Sequence, residues 1–272
     1  MNLQWAMFDE SPAEAWTLRY GTEAPELPDL SKFLNHRSVR KFKPDPIPEP
    51  MIQGLVAAAQ SAATSSNLQL WSIVSVQDPV RREEIAKFCA DQSQVRNCAV
   101  YFCFIADHYR LRQVAEKQGE ACAGLGHTEF FTMAVIDAAL AAERMVCAAG
   151  AMGLGICYIG ALRNDAEGVK NLLNLPEGTF GLFGLCLGWP AEPIRAQIKP
   201  RLSQEAIWFR ETYDQSVSTE EYDQRMAAFS LSQQMPTDQP WSKKSGKRVD
   251  LNHMTGRETL LDWLQGQGFL QH

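Results

Sequence analysis

Apolar and polar positions alternate along this chain with two distinct periods. From Pro48, PEPMIQGLVAAAQSAATSSN places Met51, Ile52, Leu55, Val56 and Ala59 in one stripe, with proline and acid in the first turn and Ser and Asn at the end, which predicts a helix. LWSIVSV (Leu70 to Val76) alternates as a strand does, and DPVRREEIAKFCA behind it offers Asp78 as N-cap and Pro79 at the first position of a helix. CAVYFCFIAD (Cys98 to Asp107) is an unbroken apolar run rich in aromatics and predicts a central strand. After a polar helical segment over 108–122, Phe130 to Gly150 is apolar on nearly every side, which predicts a helix buried all round in a core, a dimer core included. GLGICYIGAL reads as a short strand, AEGVKNLLNL as a helix stopped at Pro176, and FGLFGLCLGW (Phe180 to Trp189) as another buried strand. Beyond Pro190, EAIWFRETYDQS, TEEYDQRMAAFSLSQQ and ETLLDWLQGQGF read as helices, and MPTDQPWSKKSGKRVDLNHMTGR as an exposed loop. Residues 1–29 are mixed and proline-bearing, an irregular arm suited to wrapping the body or a partner subunit.

Few short strands among many helices, without regular βαβ alternation, predict an α+β fold with a helix-covered sheet. The expected organisation is an N-terminal arm over 1–29 and a single domain over 30–272. The balance of 26 basic against 32 acidic residues, net charge -6, has the wrong sign for a polyanion partner, so no nucleic acid is expected and any bound phosphate needs a local basic cluster. Asp137, Glu143 and Arg144 interrupt the apolar stretch, which argues against a membrane span. Seven cysteines without a C-x-x-C pair read as reduced core thiols, and the N-terminus has acids where a secretory signal has a basic region, so a cytoplasmic protein is expected. The five histidines lack metal-ligand spacing, so no metal site is expected; there is no G-x-S-x-G elbow or P-loop, and the glycines at 153, 155 and 160 do not have dinucleotide spacing.

Three clusters carry chemistry. In His36-Arg37-Ser38-Val39-Arg40 a hydroxyl lies between cations, the composition of a phosphate cradle or of a solvated basic turn. Lys199-Pro200-Arg201 in extended form points two cations one way, toward an anion or simply into solvent. Ala63 to Trp71, ATSSNLQLW, is a polar patch after a helix, fit to hydrogen-bond a heteroaromatic ring or merely to cap.

HRSVRKF, ATSSNLQLWS, GLGICYIGALRND, FGLFGLCLGWP and IKPRL stand in an order that resembles the nitroreductase family of flavoproteins, in its oxygen-insensitive nitroreductase and flavin reductase branch, across roughly residues 31–230. The resemblance implies a nitroreductase-like fold, a mixed or antiparallel sheet with dimer-forming helices, and bound FMN. It implies that His36, Ser38, Lys199 and Arg201 bind the FMN phosphate, that Arg37 completes the motif, and that Arg40 lies near the ribityl chain and pyrimidine end. It further implies that Thr64, Ser65, Ser66 and Leu68 reach FMN from the other subunit of a homodimer, and that Gln92 is a polar ring contact. Tyr158, Ile159, Gly160 and Ala161 match the segment whose backbone approaches flavin N5, with Ala161 where relatives carry a second glycine. No side chain is expected to be catalytic, because the flavin carries the chemistry. The implied activity is two-electron transfer from NADPH or NADH to nitroaromatics, quinones or free flavins by a ping-pong mechanism. The rival readings are a flavin-delivery protein and a specialised FMN oxidase or dehalogenase. Relatives place arginines for the 2′-phosphate of NADPH after the helix matching Tyr222 to Leu231; here Ser232 to Pro240 has no cation, while Arg225 precedes it and Lys243, Lys244, Lys247 and Arg248 follow it.

Overall fold

The computed structural model describes residues 10–26, 30–192, 197–235 and 239–272. In chain order its elements are α1 (Pro12–Tyr20), α2 (Ser31–Leu34), α3 (Glu49–Gln60), β1 (Trp71–Val76), α4 (Pro79–Phe88), α5 (Ser93–Asn97), β2 (Val100–Asp107) and α6 (Tyr109–Gln118). There follow α7 (Thr128–Ala151), β3 (Gly155–Ile159), α8 (Ala166–Leu173), β4 (Thr179–Gly188), α9 (Glu220–Ser232), α10 (Trp241–Arg248) and α11 (Leu260–Gly266). They form two compact units, one of residues 38–192 and 256–272, the other of residues 10–37 and 197–255.

The first unit holds a four-stranded sheet in the order β1-β2-β4-β3, every neighbouring pair antiparallel. As its unbroken apolar run predicts, β2 is central and buried along its whole length. Val100, Phe102, Phe104 and Ala106 join the core formed with α3 and α7, while Cys103 faces the side where Val169 of α8 packs against Gly181. Local signals hold where they are complete: Asp78 accepts from the Arg81 N–H at 2.8 Å, and Asp165 caps α8 through the Gly168 N–H. The thiols of Cys89, Cys98, Cys103, Cys157 and Cys186 are free and buried, and burial pushes the Cys89 pKa up to about 12. No helix among the described residues is long and apolar enough to cross a membrane.

Four expectations need correction. The arm is not irregular throughout: α1 forms within it, because Ser11 and Glu14 make a reciprocal capping box with Pro12 at the helix start. Residues 1–9 and 27–29 lie outside the described residues. Within one chain α7 is not buried all round. Its inner face of Ala134, Ala138, Ala141, Met145 and Ala149 packs on the sheet, but Ile136 and Leu140 stay 47% and 45% exposed, since no element among the described residues covers them. Residues 205–216 form only a 3-10 turn at Gln204–Ala206; Tyr213 packs on the Phe209 ring within the segment, and Ile207, Trp208 and Tyr213 remain exposed, so no buried apolar face supports a helix there. Conversely, the polar stretch read as a loop contains α10. Asp223 of α9 accepts from the Ser242 N–H at 2.8 Å and also bonds its hydroxyl, while Trp241 packs edge-on against Tyr222, so α9 caps and seats a helix that its own sequence does not announce. Residues 236–238 of that stretch lie outside the described residues.

The HRSVRKF segment enters the first unit by steric fit. Gly155 and Gly188 are directly paired between β3 and β4, and a Cβ on either would come within 2.8 Å of Val39 or Phe42 respectively. The Val39 N–H donates to Ile156 O at 2.8 Å and the Lys43 N–H to Trp189 O at 2.7 Å, so the segment is stitched to the sheet on both sides of the glycines. Gly155→Ala should destabilise the protein by about 1–3 kcal/mol through overpacking. Val39→Ala in that background should recover part of the loss; a double-mutant cycle by urea denaturation measures this, and simple additivity contradicts the assigned fit.

Candidate functional site

In the second unit the sequence-predicted cations converge on one another. Arg19 of α1, 6% exposed, sends Nε and Nη2 to Leu34 O at 2.9 and 2.6 Å and Nη2 to His36 O at 2.8 Å, and so shapes the loop that presents His36. The Arg201 N–H donates to Arg19 O at 2.8 Å, and Arg225 Nη1 bridges Arg19 O and Arg201 O at 2.7 and 2.9 Å. Lys199-Pro200-Arg201 is thereby drawn against α1, with Arg201 Nη1 bent back toward Lys199 O and Pro200 O.

The electrostatics follow from this crowding. The His36 imidazole is held below its usual pKa, first by burial and then by Arg19, Arg201 and Arg37. Burial likewise lowers the Arg19 pKa, and the Arg201 charge adds to it. Acids are set among these cations: the Glu10 carboxylate takes Nη1 and Nη2 of Arg37 at 3.3 and 2.7 Å and is itself held below its usual range by that hydrogen bond, and Glu221 lies 3.6 Å from Arg225 Nε. Arg37 also donates to Asn35 O, so its side chain braces the loop. Cations gathered this closely form an environment that can take a phosphate dianion through charge-assisted hydrogen bonds.

The first unit carries the remaining predicted residues. Arg40 is exposed beside Cys157 of β3; burial raises that thiol pKa and the Arg40 charge opposes the rise. Next to it Tyr158 is 39% exposed, its hydroxyl donating to Glu143 of α7 at 3.2 Å and its ring edge-on to Phe183. Ile159 closes β3, and Gly160 and Ala161 open a 3-10 turn braced by Arg163 Nη1 on Leu182 O and by Arg257 Nε on Asn164. Arg40 and the Tyr158 to Ala161 segment are therefore neighbours. Gln92 stands apart at the start of α5, donating to Cys89 O and accepting from Gln94.

Thr64, Ser65, Ser66 and Leu68 lie in and around a 3-10 turn over Ser65–Asn67 with unusual backbone. Ser66, Asn67 and Gln69 have φ of 50°, 56° and 54°, left-handed values that cost a non-glycine residue on the order of 1 kcal/mol each. Asp137 of α7, wholly buried, brackets them: Oδ1 accepts from the Ser65 N–H at 2.9 Å and Oδ2 from the Leu70 N–H at 3.2 Å. From the other side Arg110 donates to Gln69 O and Trp71 O at 2.9 and 3.2 Å.

A profile of the Nitroreductase family matches residues 34–189, and one of that family's C-terminal domain matches residues 199–272. The chain belongs to the nitroreductase family. It is 37% identical over 249 residues to an FMN reductase (NADPH) of Bacillus subtilis, covering 88% of this chain and 97% of that protein. It is 32% identical to an oxygen-insensitive NADPH nitroreductase of Salmonella typhimurium, covering 89% and 98%. Among solved structures, an NADPH:FMN oxidoreductase from Vibrio harveyi in complex with NAD+ superposes with a TM-score of 0.78 at 32% identity, over 89% of this chain and 99% of that one. The expected α+β nitroreductase fold is thus observed, with an antiparallel sheet.

Sequence reading missed Arg19 and Glu10 and took Arg225 only as a cation near the nicotinamide stretch; all three stand outside the motif and act on its backbone or its cations. It registered Asp137 only as a break in an apolar run, although a carboxylate inside such a run is itself a signal of a buried group with specific donors.

His36 supplies a pH test with a defined sign. Its folded pKa lies below the unfolded value of about 6.5, so its contribution to stability is complete above that pH and is lost as pH falls through the range below it. Flavin-free protein should lose stability between pH 8 and about pH 5.5, inorganic phosphate should restore part of it, and His36→Asn should abolish the phosphate-sensitive part; urea midpoints at both pH values measure it.

Proposed function

We propose that this chain is an NADPH-dependent FMN oxidoreductase of the nitroreductase and flavin reductase kind. The observation that carries the reading is the cationic group around His36, which is charged for a terminal phosphate. In the second unit His36, Lys199 and Arg201 hold the FMN phosphate, with Arg19 and Arg37 keeping their loop in shape. The family resemblance further assigns Ser38 to phosphate binding, Arg40 to the pyrimidine edge of the flavin, Gln92 to a polar contact with the ring, and Tyr158, Ile159, Gly160 and Ala161 to backbone N–H groups facing it. Bound FMN supplies two-electron chemistry, from a reduced nicotinamide to a nitroaromatic, quinone or free flavin in ping-pong fashion. No acid or base from this chain is required; its residues bind, orient and tune.

The working form is a homodimer. The exposed Ile136 and Leu140 on α7 supply an apolar face for a second copy, and Thr64, Ser65, Ser66 and Leu68 then serve the flavin of the other subunit. The buried, unpaired thiols suit a reducing cytoplasm.

Released cofactor should be FMN with no substantial FAD, as mass spectrometry will report. Arg201→Ala should weaken FMN binding by about 1.5–3 kcal/mol, roughly ten- to a hundred-fold, in a fluorescence titration of flavin-free protein. Unchanged affinity removes Arg201 from the phosphate site.

The choice of nicotinamide has its own test. Arg225 donates to Arg19 O and Arg201 O, and Lys243 and Lys247 on α10 are further cations in this part of the chain that could meet a 2′-phosphate. NADPH should be favoured over NADH only modestly, and neutralising Lys243 and Lys247 should cut kcat/KM for NADPH about tenfold while sparing NADH. A strong NADPH preference that survives this change locates the recognition elsewhere.

A further inference from the structure

The turn over residues 65–70 combines two features that neither packing nor capping requires. Three of its residues, Ser66, Asn67 and Gln69, lie in the left-handed region without being glycine. A single carboxylate spans the strained stretch, with one oxygen on the N–H before it and the other on the N–H after it. That carboxylate belongs to Asp137, wholly buried on the alanine-lined inner face of α7. An apolar side chain would fill such a position without the desolvation cost of an acid. The bracket accounts for the acid, because it holds the two ends of the turn at a fixed separation and leaves the left-handed residues no extended alternative. Strain kept in place by surrounding structure is characteristic of sites shaped before their ligand arrives.

We infer that Asp137 is a positioning residue for the flavin: it holds residues 65–70 in the strained form that receives FMN. The inference rests on the assignment of this turn to the flavin site. It also links two parts of the molecule. Asp137 follows Ile136, on the exposed apolar face of α7, so the surface offered to a second copy and the clamp on the flavin turn are consecutive residues of one rigid helix. Arg110, fixed in turn by Asp107, holds the carbonyl side of the same turn, so both edges of its backbone are anchored to the first unit.

The decisive measurement is FMN affinity of flavin-free full-length protein, titrated by fluorescence. Asp137→Asn keeps the shape but turns one acceptor into a donor facing an N–H, and should raise the FMN dissociation constant at least about tenfold. Adding Gln69→Gly, at an exposed position outside the assigned contacts, should recover several-fold of that loss, because glycine adopts the left-handed conformation without a clamp. A purely structural role for Asp137 predicts no such rescue. Unchanged affinity in Asp137→Asn, or a loss that Gln69→Gly does not relieve, overturns the inference. Ser65→Phe, which fills the turn itself, separates the two levels: if it too leaves FMN binding intact, the turn is not a flavin site and the underlying assignment fails. Should Asp137→Asn not fold, hydrogen exchange of the wild-type, flavin-free protein decides. Ser65 and Leu70 amides protected like those of the sheet support the clamp, and amides that exchange freely overturn it.

Discussion

Two facing glycines set where the chemistry of this protein can be. Gly155 and Gly188 are paired across β3 and β4, and the space their missing side chains leave is filled by Val39 and Phe42. Because the contact leaves no room for a Cβ, the segment between them has one seat on the sheet, and Arg40 comes to rest beside Cys157 and Tyr158. The segment then has a division of labour: Val39 and Phe42 anchor it against the two glycines while Arg40 stays exposed. A loop with the same polar residues but no such seat would be the solvated basic turn that its composition equally allows.

Charge completes what sterics begins. In the second unit, Arg19, His36, Arg37 and Arg201 share a small region, and the lowered His36 pKa follows from burial first and then from the neighbouring arginines. The backbone carries much of the order: Leu34, His36, Arg19 and Arg201 carbonyls are each taken by an arginine. Arginine suits this task because its planar fork satisfies two acceptors at once and keeps its charge under crowding. The protein thus stores electrostatic strain in one unit and conformational strain, at Ser66, Asn67 and Gln69, in the other. Both are of the kind that a bound ligand relieves.

The helix α7 shows how one element serves several ends. Its small inner residues let it lie close on the sheet, Asp137 reaches the strained turn, Glu143 meets Tyr158, and Ile136 and Leu140 remain outside. The nearly continuous apolar pattern of its sequence compresses these roles into one signal, so periodicity reports burial on all sides where a single chain buries only one.

The amino-acid sequence by itself determined the central strand, the helices with complete caps such as α4, and the order of motifs that resembles the nitroreductase family, because these are satisfied within a few residues of one another. It did not reveal α10, whose cap is Asp223 of another helix, nor the failure of a helix over 205–216, whose Ile207, Trp208 and Tyr213 stay exposed. Arg19 and Asp137 were not legible as residues that shape the candidate site, and Arg225 was legible only as a nearby cation, for the same reason. Each acts on backbone groups distant in sequence, 15 residues away for Arg19 with Leu34 and 72 for Asp137 with Ser65. A polar side chain inside a protein finds its role from whichever N–H or C=O the packed chain leaves unpaired beside it, and only the tertiary structure decides which groups those are.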